Sequence, residues 1–260
     1  MEQSRNTAQR RQVILGLTRD LGRIEVIDLA DRLGVAIETV RRDLSSLEQH
    51  GLIRRSHGTA YPLEGARFQS PVAQHSNFMV PEKRKIAAAA AAQIADVDTV
   101  YLDQGYTPHL VAEALTTISR PLTVITPSLS AAETLLATAD SQIVVYLLGG
   151  RVRQPSLRTT GHWGTAMLET FDIDIAIMGT TGITIERGLT TPVATDTDSK
   201  ALAIQQSQRR ILVAIHTKFG VNSFARFARI KEFNMLITNR GMSAHEARRY
   251  CQLGPDLLEV

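Results

Sequence analysis

The sequence predicts two domains of different fold class, a small α+β domain followed by a larger α/β domain with a mostly parallel sheet. Residues 1–62 combine short apolar patterns of helical spacing with one β-capable segment. The passage PLEGARFQSPVAQHSN has two prolines, low hydrophobicity and no periodicity, which is typical of an interdomain linker, and we place the linker at residues 63–80. From residue 81 to residue 260, apolar strands alternate with helical stretches, and this alternation implies βαβ units covered by helices.

The composition is that of an ordinary globular protein, with 260 residues of which 43% are hydrophobic and 21% charged. No apolar run approaches the roughly 20 residues of a membrane span, so we expect no membrane partner. The single cysteine, Cys251, excludes an internal disulfide and fits a reducing compartment, and we therefore expect a cytoplasmic protein. The formal net charge of +3 decides nothing about nucleic acid, because the local placement of arginines matters more.

Three segments of the first domain carry apolar residues at helical spacing. The residues are Val13, Ile14, Leu17 and Leu21, then Val26, Leu29, Ala30 and Leu33, and then Ile37, Val40, Leu44 and Leu47. Gly34 separates the second helix from the third, and a glycine commonly takes the left-handed position that ends a helix. The segment LIRRSHGTAYP suits a small hairpin with a glycine turn. Helices joined by a tight turn and followed by a hairpin form the outline of a winged helix-turn-helix.

The polar face of the third helix has the layout of a helix that lies in the major groove of DNA. With Val40 facing the core, steps of about 100° per residue place one set of side chains opposite the core and a second set on the flanks. The candidate DNA-binding residues are Glu38, Arg42, Ser45 and Gln49 opposite the core, Thr39 and Arg41 on the flanks, and Arg54 and Arg55 at the start of the hairpin. Arginine can donate two hydrogen bonds to guanine, while small polar groups anchor the sugar–phosphate track.

Two other interpretations of this basic segment stay open at this point. A small helical domain with a charged exterior would show a similar pattern. An RNA-binding adaptor would use the basic hairpin, although only Tyr61 is available nearby for stacking on bases. Within the helix, Asp43 is expected to pair with a neighbouring arginine, because a carboxylate would repel phosphate.

The stretch YLDQGYTPHL in the larger domain marks a candidate ligand site. It follows a strand and leads into a helix, and ligands of parallel α/β sheets bind beyond the carboxyl ends of strands. Asp103 would accept from a ligand hydroxyl, while Gly105, Tyr106 and Thr107 would donate to phosphate through backbone N–H and hydroxyl groups. A plain strand-to-helix turn is an equally good interpretation of this stretch alone.

The segment VAIETVRRDLSSLEQHGLIRRSHGTA resembles the DeoR-type helix-turn-helix. The matching residues are Val35, Thr39, Arg41, Arg42, Asp43, Leu44, Leu47, Glu48, Arg55, His57, Gly58 and Ala60. The resemblance adds His57 to the candidate DNA-binding residues. Two positions depart from the family pattern, Ala36 in place of the usual serine N-cap and Thr59 in place of a second glycine in the hairpin.

The larger domain is similar to DeoR-type sensor domains, which look like phosphosugar isomerases such as ribose-5-phosphate isomerase. The counterparts of the family motifs are Asp103, Gly105, Thr107, Thr126, Ser128, Gly149, Gly150, Gly179, Gly182, Lys200 and Lys218, and with Tyr106 they form the predicted effector site. Lys200 would supply countercharge to a phosphate or stay solvated, and Lys218 would hold phosphate or brace the sheet edge. Tyr106 and Pro127 depart from the family pattern, as does the absence of an Asp before Lys218. Thr126 followed by Pro127 predicts a hydroxyl-capped helix start.

The resemblance implies a DNA-binding transcriptional regulator, a repressor or activator controlled by a phosphorylated sugar or sugar alcohol, and we expect a repressor of a carbohydrate-metabolism operon. The principal alternative is a sugar-phosphate isomerase that uses Asp103 and Asp174 as acid and base. No metal site is predicted, since the histidines lack ligand spacing and one cysteine cannot form a zinc cage, and no cofactor is expected. One DNA-binding head neutralises few phosphates, so we predict a homodimer or tetramer held together by the larger domain.

Overall fold

The computed structural model describes residues 7, 10–11, 13–18, 24–49, 53–56, 58–62, 79–137, 142–154 and 156–260. The chain divides into two compact units, Met1–Pro71 and Val72–Val260. Nearly all of the predicted linker, residues 63–80, lies outside the described residues.

The first unit is a winged helix-turn-helix, as the sequence predicts. Residues 13–18 are helical. The elements that follow are β1 (Ile24–Glu25), α1 (Val26–Leu33), α2 (Ile37–Gln49), β2 (Ile53–Ser56) and β3 (Thr59–Pro62). The three strands form an antiparallel sheet in the order β1-β3-β2. The predicted second helix begins at Val26, the first of its predicted apolar residues, and residues 24–25 before it pair with the hairpin.

The apolar residues of this unit form one core that joins both helices to the wing. Leu29, Val40, Leu44 and Leu47 are fully buried, together with Ile53 at the start of the wing. Val40 and its neighbours at helical spacing therefore face inward as predicted, and the opposite face of α2 is left to solvent.

Two of the predicted core residues are exposed. Ile37 is 41% exposed because it occupies the first position of α2, at the end of the apolar stripe. Val13 is 44% exposed, while Ile14 and Leu15 are buried in its place. Gly34 does take the left-handed conformation between α1 and α2, with φ +62°.

A buried carboxylate joins α2 to the helix that precedes it. Asp43 is 2% exposed and accepts hydrogen bonds from Arg10 Nε at 2.6 Å and Arg11 Nε at 2.8 Å. The partner of Asp43 is an arginine, as expected, but it comes from the N-terminal helix and not from α2. This ion pair fixes the orientation of α2 on the rest of the unit.

The second unit is an α/β domain built on a seven-stranded parallel sheet. Its helices are α3 (Val80–Ala91), α4 (Tyr106–Leu115), α5 (Leu129–Leu136), α6 (His162–Leu168), α7 (Thr197–Gln205) and α8 (Ala244–Cys251). Its strands are β4 (Thr99–Leu102), β5 (Leu122–Thr126), β6 (Ile143–Leu147), β7 (Arg151–Arg153), β8 (Arg158–Thr160), β9 (Ile173–Gly179), β10 (Gly182–Thr184), β11 (Gly188–Thr191), β12 (Ser207–Val213), β13 (Ala225–Ala228), β14 (Met235–Thr238) and β15 (Asp256–Glu259). None of the described helices is long and apolar enough to cross a membrane.

The main sheet has the order β15-β14-β12-β9-β4-β5-β6, and every neighbouring pair is parallel. The side chains of successive strand residues point to opposite faces of the sheet. Val100 and Leu102 therefore lie in one buried cluster and Tyr101 in the other. The carboxyl ends of all seven strands therefore lie on one side of the sheet, which we call the carboxyl edge. The predicted effector residues that follow strands lie there. The antiparallel sheet β10-β11-β13 and the β7-β8 hairpin were not predicted from the sequence.

Replacing Asp43 by alanine is expected to destabilise the first unit by about 1.5–3 kcal/mol, because two charge-assisted hydrogen bonds are lost and Arg10 stays partly buried without its acceptor. Urea denaturation of the full chain would measure the loss. The exposed Asp31 on α1 provides the matched control, and Asp31→Ala should change stability by less than about 0.5 kcal/mol. Equal effects of the two changes would contradict the structural role of Asp43.

Candidate functional site

A buried ion pair lies where β4 and β9 end. Asp103 follows β4, is fully buried and pairs with the ammonium group of Lys200 on α7. Asp103 Oδ2 also accepts from the backbone N–H of Gly179 at 2.9 Å, and Lys200 Nζ donates to the carbonyl of the same glycine at 3.2 Å. Three of the predicted effector residues are thus brought into direct contact, and the charges of Asp103 and Lys200 neutralise each other.

Two further lysines lie at this edge. Lys218 donates from Nζ to the carbonyl of Thr180 at 2.5 Å. Burial lowers the pKa of Lys218 to about 8, with smaller contributions from the positive charges of Lys83 and Lys200. Lys83 on α3 is 1% exposed, and burial lowers its pKa to about 8 as well. Lys83 and Lys200 therefore both lie close enough to Lys218 for their charges to lower its pKa.

The loop after β4 leads from the strand into a helix, as the sequence predicts. Gly105 has φ +122° and occupies the position before α4, and its carbonyl accepts from His109 N at 2.9 Å. Tyr106 is half-buried, with its ring 5.2 Å from the ammonium of Lys83. Thr107 is buried in the first turn of α4. A cation that faces an aromatic ring is stabilised by the ring, so Tyr106 helps to hold Lys83 in place.

The helix after β5 begins differently from the prediction. The N-cap of α5 is Ser128, whose Oγ accepts from Ala131 N at 3.2 Å. Thr126 caps nothing on the helix, and its hydroxyl accepts from Ser128 N at 3.1 Å within the turn. Pro127 between them precedes the helix, so the cap falls two residues later than the threonine-proline pattern suggested. Both hydroxyls are occupied by the backbone as acceptors.

The two paired glycine motifs have different surroundings. A Cβ at Gly150 would approach the carbonyl oxygen of Thr160 to 2.5 Å, and Gly150 has φ +129°, so a side chain is excluded by the β7-β8 hairpin. A Cβ at Gly182 would approach the carbonyl oxygen of Val221 to 2.3 Å. Glycine is therefore required at both positions for packing between backbone segments.

A cavity of about 290 Å³ opens on the β5 and β6 side of the edge. It is lined by Pro127, Leu148, Gly149, Thr159, Thr160, Gly161, His162, Gly164, Thr165, Thr195, Asp198 and Ser199. Hydroxyl groups dominate its polar lining, and Gly149 is the predicted effector residue among its walls. This lining suits an uncharged polar group better than an anion, because Asp198 would repel negative charge.

A second ion pair is formed by the sequence neighbours of Thr159 and Thr195, which line the cavity. Arg158 on β8 donates from Nη2 to Asp196 Oδ2 at 2.7 Å, and the two side chains are 10% and 4% exposed. Gln104 donates to the same oxygen at 3.4 Å. Asp103 and Asp196 both raise the pKa of the buried Tyr101 hydroxyl, after burial itself, which indicates that the two carboxylates are neighbours.

Four buried polar atoms of this network have no hydrogen-bond partner among the described residues. They are Tyr101 Oη, Asp103 Oδ1, Arg158 Nε and Asp196 Oδ1. Unsatisfied buried groups are costly and in native proteins usually receive a ligand or water. The network therefore has free donors and acceptors at the carboxyl edge.

Sequence reasoning missed Lys83, Arg158 and Asp196. The signal for Lys83 was present, because it precedes Ile86 and Ala87 by one helical turn and so shares the buried face of α3. No local pattern marked Arg158 or Asp196, since the β7-β8 hairpin brings them together from distant positions.

In the first unit, α2 presents its predicted polar face to solvent. Glu38, Arg41 and Arg42 are exposed, Thr39 and Ser45 half-buried. Arg41 lies 3.7 Å from Glu38, and Ser45 donates to the carbonyl of Arg41 at 2.8 Å. Arg42 makes no hydrogen bond or ion pair with the residues that the structure describes, so its guanidinium is available to a partner.

The wing is attached to α2 by a second pair of contacts. Glu48 accepts from Arg55 Nε at 2.7 Å and from Arg55 N at 2.9 Å, and these bonds lower the pKa of the Glu48 carboxyl. Arg55 thus fixes the wing on the helix in addition to any contact with DNA. The side chains of Gln49 and Arg54, and all of His57, lie outside the described residues.

The geometry of the carboxylates disfavours an isomerase centre. Asp103 follows the carboxyl end of β4, whereas Asp174 lies at the amino end of β9 and accepts from the backbone N–H groups of Asp98 and Thr99 at 2.9 Å. Since β4 and β9 are parallel, Asp103 lies at the carboxyl ends of the strands and Asp174 at their amino ends, on opposite sides of the sheet. In the described part of the chain no group of three or more potential metal ligands is found.

Two family models match the chain, one in each of its two units. A model described as the DeoR-like helix-turn-helix domain matches residues 10–64, and one described as the DeoR C terminal sensor domain matches residues 79–240. The second match alone covers more than half of the chain.

Three similar proteins are regulators by name. The HTH-type transcriptional regulator GlpR of Haloferax volcanii is 32% identical over 91% of each chain. The glycerol-3-phosphate regulon repressor of Escherichia coli is 30% identical, over 89% of this chain and 90% of the other. The HTH-type transcriptional repressor GlcR of Bacillus subtilis is 33% identical, over 89% and 88%.

Solved structures show weaker likeness. The full-length sorbitol operon regulator SorC from Klebsiella pneumoniae has a TM-score of 0.43 at 11% identity, covering 95% of this chain and 98% of that chain. Ribose 5-phosphate isomerase A from Neisseria gonorrhoeae has a TM-score of 0.38 at 17% identity, covering 54% and 53%. Scores at this level do not identify a shared function.

Breaking the buried ion pair from one side is expected to be costly. Lys200→Met leaves the carboxylate of Asp103 buried with the N–H of Gly179 as its remaining partner, and we expect a loss of about 3–5 kcal/mol in unfolding free energy. The double variant Asp103→Asn with Lys200→Met should recover most of this loss, because neither position then carries a charge. Urea denaturation of the wild type, Lys200→Met and the double variant would measure the loss and the recovery of unfolding free energy.

The exposed Lys231 supplies the control, since Lys231→Met should change stability by less than about 0.5 kcal/mol. If the double variant were as unstable as Lys200→Met, the uncompensated charge would not be the cause of the loss.

Proposed function

The chain belongs to the DeoR family of DNA-binding transcriptional regulators, and from this premise we propose that it represses a carbohydrate-metabolism operon under the control of a phosphorylated sugar or sugar alcohol. The matching family models and the similar proteins named above are those of transcriptional regulators and not of enzymes. The isomerase alternative is therefore set aside. We place its action in the cytoplasm, where it has access to an operator and to phosphorylated metabolites.

In this proposal α2 lies in the major groove and Arg42 reads a base. Arg42 supports this role because it is exposed and its guanidinium is unengaged among the described residues, whereas Arg41 lies near Glu38. Two hydrogen bonds from one guanidinium to a guanine edge discriminate that base from others. Thr39, Ser45 and the wing arginines Arg54 and Arg55 would then anchor the helix to the sugar–phosphate backbone.

The effector site is proposed at the carboxyl edge of the main sheet, and Lys218 is the observation that carries it. Lys200 is already neutralised by Asp103, whereas Lys218 donates to the uncharged carbonyl of Thr180. A half-buried cation that forms no ion pair among the described residues favours an anion, and a phosphate next to Gly105 and Thr107 would supply that charge.

The remainder of the effector would occupy the polar network and the neighbouring cavity. Hydroxyl groups both donate and accept, so a polyol chain would satisfy Asp103 Oδ1, Asp196 Oδ1 and Arg158 Nε. The hydroxyl-rich cavity beside Gly149 extends the same site. This separation of an anionic end from a hydroxylated end is what a sugar phosphate or a phosphorylated polyol requires.

We further propose that the regulator acts as a homodimer or tetramer. One winged helix-turn-helix neutralises few phosphates, so its affinity at physiological salt is modest. Two heads joined through the larger unit bind two half-sites with a high effective concentration.

Arg42→Ala is expected to weaken binding to the chain's own promoter by about 1–3 kcal/mol, because the base contact is lost. Fluorescence anisotropy with promoter and scrambled duplexes at the same moderate salt would measure it. The loss should be larger on the promoter, so that the ratio of the two affinities falls.

Arg248→Ala on α8 is the control of equal charge change and should leave both affinities unaltered. Equal losses on the two duplexes would show that Arg42 contacts phosphate and does not read a base. A wild-type protein that did not prefer its promoter, with or without sugar phosphates, would refute the DNA-binding proposal.

Affinity for the effector is expected to fall as the pH rises above about 8. The lowered pKa of Lys218 means that its ammonium is charged below pH 8 and neutral well above it. A sugar phosphate keeps its charge over this range, since its second pKa is near 6. Calorimetric titration with glycerol 3-phosphate and a panel of pentose and hexose phosphates should identify a ligand whose Kd rises about tenfold per pH unit from pH 8 to 9.5.

Two variants test the origin of this pH dependence. Lys218→Met should bind the same ligand weakly at pH 7, whereas Lys218→Arg should bind it with a flatter profile, because arginine keeps its charge at pH 9.5. Lys231→Met should behave as the wild type. A ligand whose affinity did not change with pH, or was unaffected by Lys218→Met, would place the phosphate elsewhere.

A further inference from the structure

The first turn of α2 exposes an apolar side chain. Ile37 is 41% exposed at the first position of the helix, and Ala36 before it is exposed as well. The other apolar residues of α2, Val40, Leu44 and Leu47, are fully buried. A single exposed isoleucine is common on protein surfaces, so the meaning of Ile37 depends on what surrounds it.

Ile37 lies on the flank of α2 that carries Arg41. Steps of about 100° per residue place Ile37 about 60° from Val40, and Arg41 about 100° from Val40 on the same side. The two residues are one helical turn apart, and both are exposed. Glu38, next to Ile37 in the sequence, is exposed and lies 3.7 Å from Arg41. The apolar surface of Ile37 therefore adjoins the polar surface that is proposed to bind DNA.

The major groove of DNA offers one chemical group that suits an isoleucine. The N-terminal residues of a recognition helix approach the base edges there. These edges carry hydrogen-bond donors and acceptors, and the one methyl group among them is that at C5 of thymine. Against a polar edge, isoleucine would displace water without replacing its hydrogen bond. Against the methyl group, apolar surface is buried on both sides, which is favourable.

We propose that Ile37 is a specificity-determining residue of α2 that contacts the C5 methyl group of a thymine in the operator. The inference rests on the proposed function, in which α2 lies in the major groove. Ile37 and Arg42 are five residues apart, or about 7.5 Å along the helix axis. Since base pairs are about 3.4 Å apart, the thymine lies within about three base pairs of the base that Arg42 reads.

The test removes the methyl group and leaves the rest of the base pair unchanged. Each thymine of the promoter duplex is replaced in turn by 2′-deoxyuridine, which keeps every hydrogen-bonding group of thymine. Fluorescence anisotropy measures the affinity of the full chain for each duplex. The wild type should lose about fourfold in affinity at one thymine of a half-site, the effect of removing one buried methyl group.

Variants at position 37 connect this loss to Ile37. Ile37→Ser should bind the thymine and deoxyuridine duplexes equally well at that position. Ile37→Val should keep most of the wild-type difference, because valine retains a branched aliphatic side chain. Val221→Ser in the second unit is the matched control, since Val221 is 42% exposed, and it should respond to deoxyuridine as the wild type does.

A second measurement needs no variant and so does not depend on how a substitution affects folding. At the same position, the pair containing thymine is replaced by a pair of guanine with cytosine or with 5-methylcytosine. The added methyl group occupies the place of the thymine methyl in the major groove, while all other groups of the two duplexes are identical. The wild type should bind the methylated duplex about fourfold more tightly.

The outcomes separate this inference from the function on which it rests. A wild type that preferred its promoter but responded to deoxyuridine at no thymine would overturn the role of Ile37 and leave the DNA-binding proposal intact. The same holds if Ile37→Ser kept the wild-type response, or if cytosine and 5-methylcytosine duplexes bound equally well. A wild type without preference for its promoter would refute the proposed function, and the inference with it.

Discussion

The buried ion pair between Asp103 and Lys200 is the constraint on which the carboxyl edge of the sheet depends. One carboxylate oxygen receives both the ammonium of Lys200 and the backbone N–H of Gly179, so that β4, β9 and α7 are joined at a single point. Charges buried in this way persist only when they are matched and hydrogen-bonded. The position of α7, and with it the wall of the neighbouring cavity, follows from this match.

The same principle distributes the cations of both units. Buried carboxylates form ion pairs with particular basic residues, as Asp43 does with Arg10 and Arg11 and Asp196 does with Arg158. Arg42 on α2 and Lys218 at the sheet edge form no ion pair among the described residues, and these two are proposed to bind anionic partners. Whether a basic residue of this protein is available to an anionic partner therefore depends on whether an acidic neighbour already pairs with it. The net charge of the chain does not indicate this.

The order of helices and strands could be predicted because it rests on local periodicity, from the helix-turn-helix at Gly34 to the alternating α/β elements. Details that depend on contacts between distant segments could not. Arg158 reaches Asp196 only through the β7-β8 hairpin, for which the sequence has no strong signal. The helix cap at Ser128 was misplaced to Thr126 because both hydroxyls flank Pro127. Lys83 was missed although its helical phase put it on the buried face of α3.

The double hydrogen bond from Arg55 to Glu48 makes the wing and α2 one rigid piece, because it joins side chain and backbone of the strand to the helix. Residues far from any nucleic acid can then influence how the protein fits a duplex. Removing the carboxylate of Glu48 would change the angle between α2 and the wing, although Glu48 itself need not contact DNA. Genetic screens for altered operator recognition would therefore recover Glu48 together with the residues that contact DNA directly.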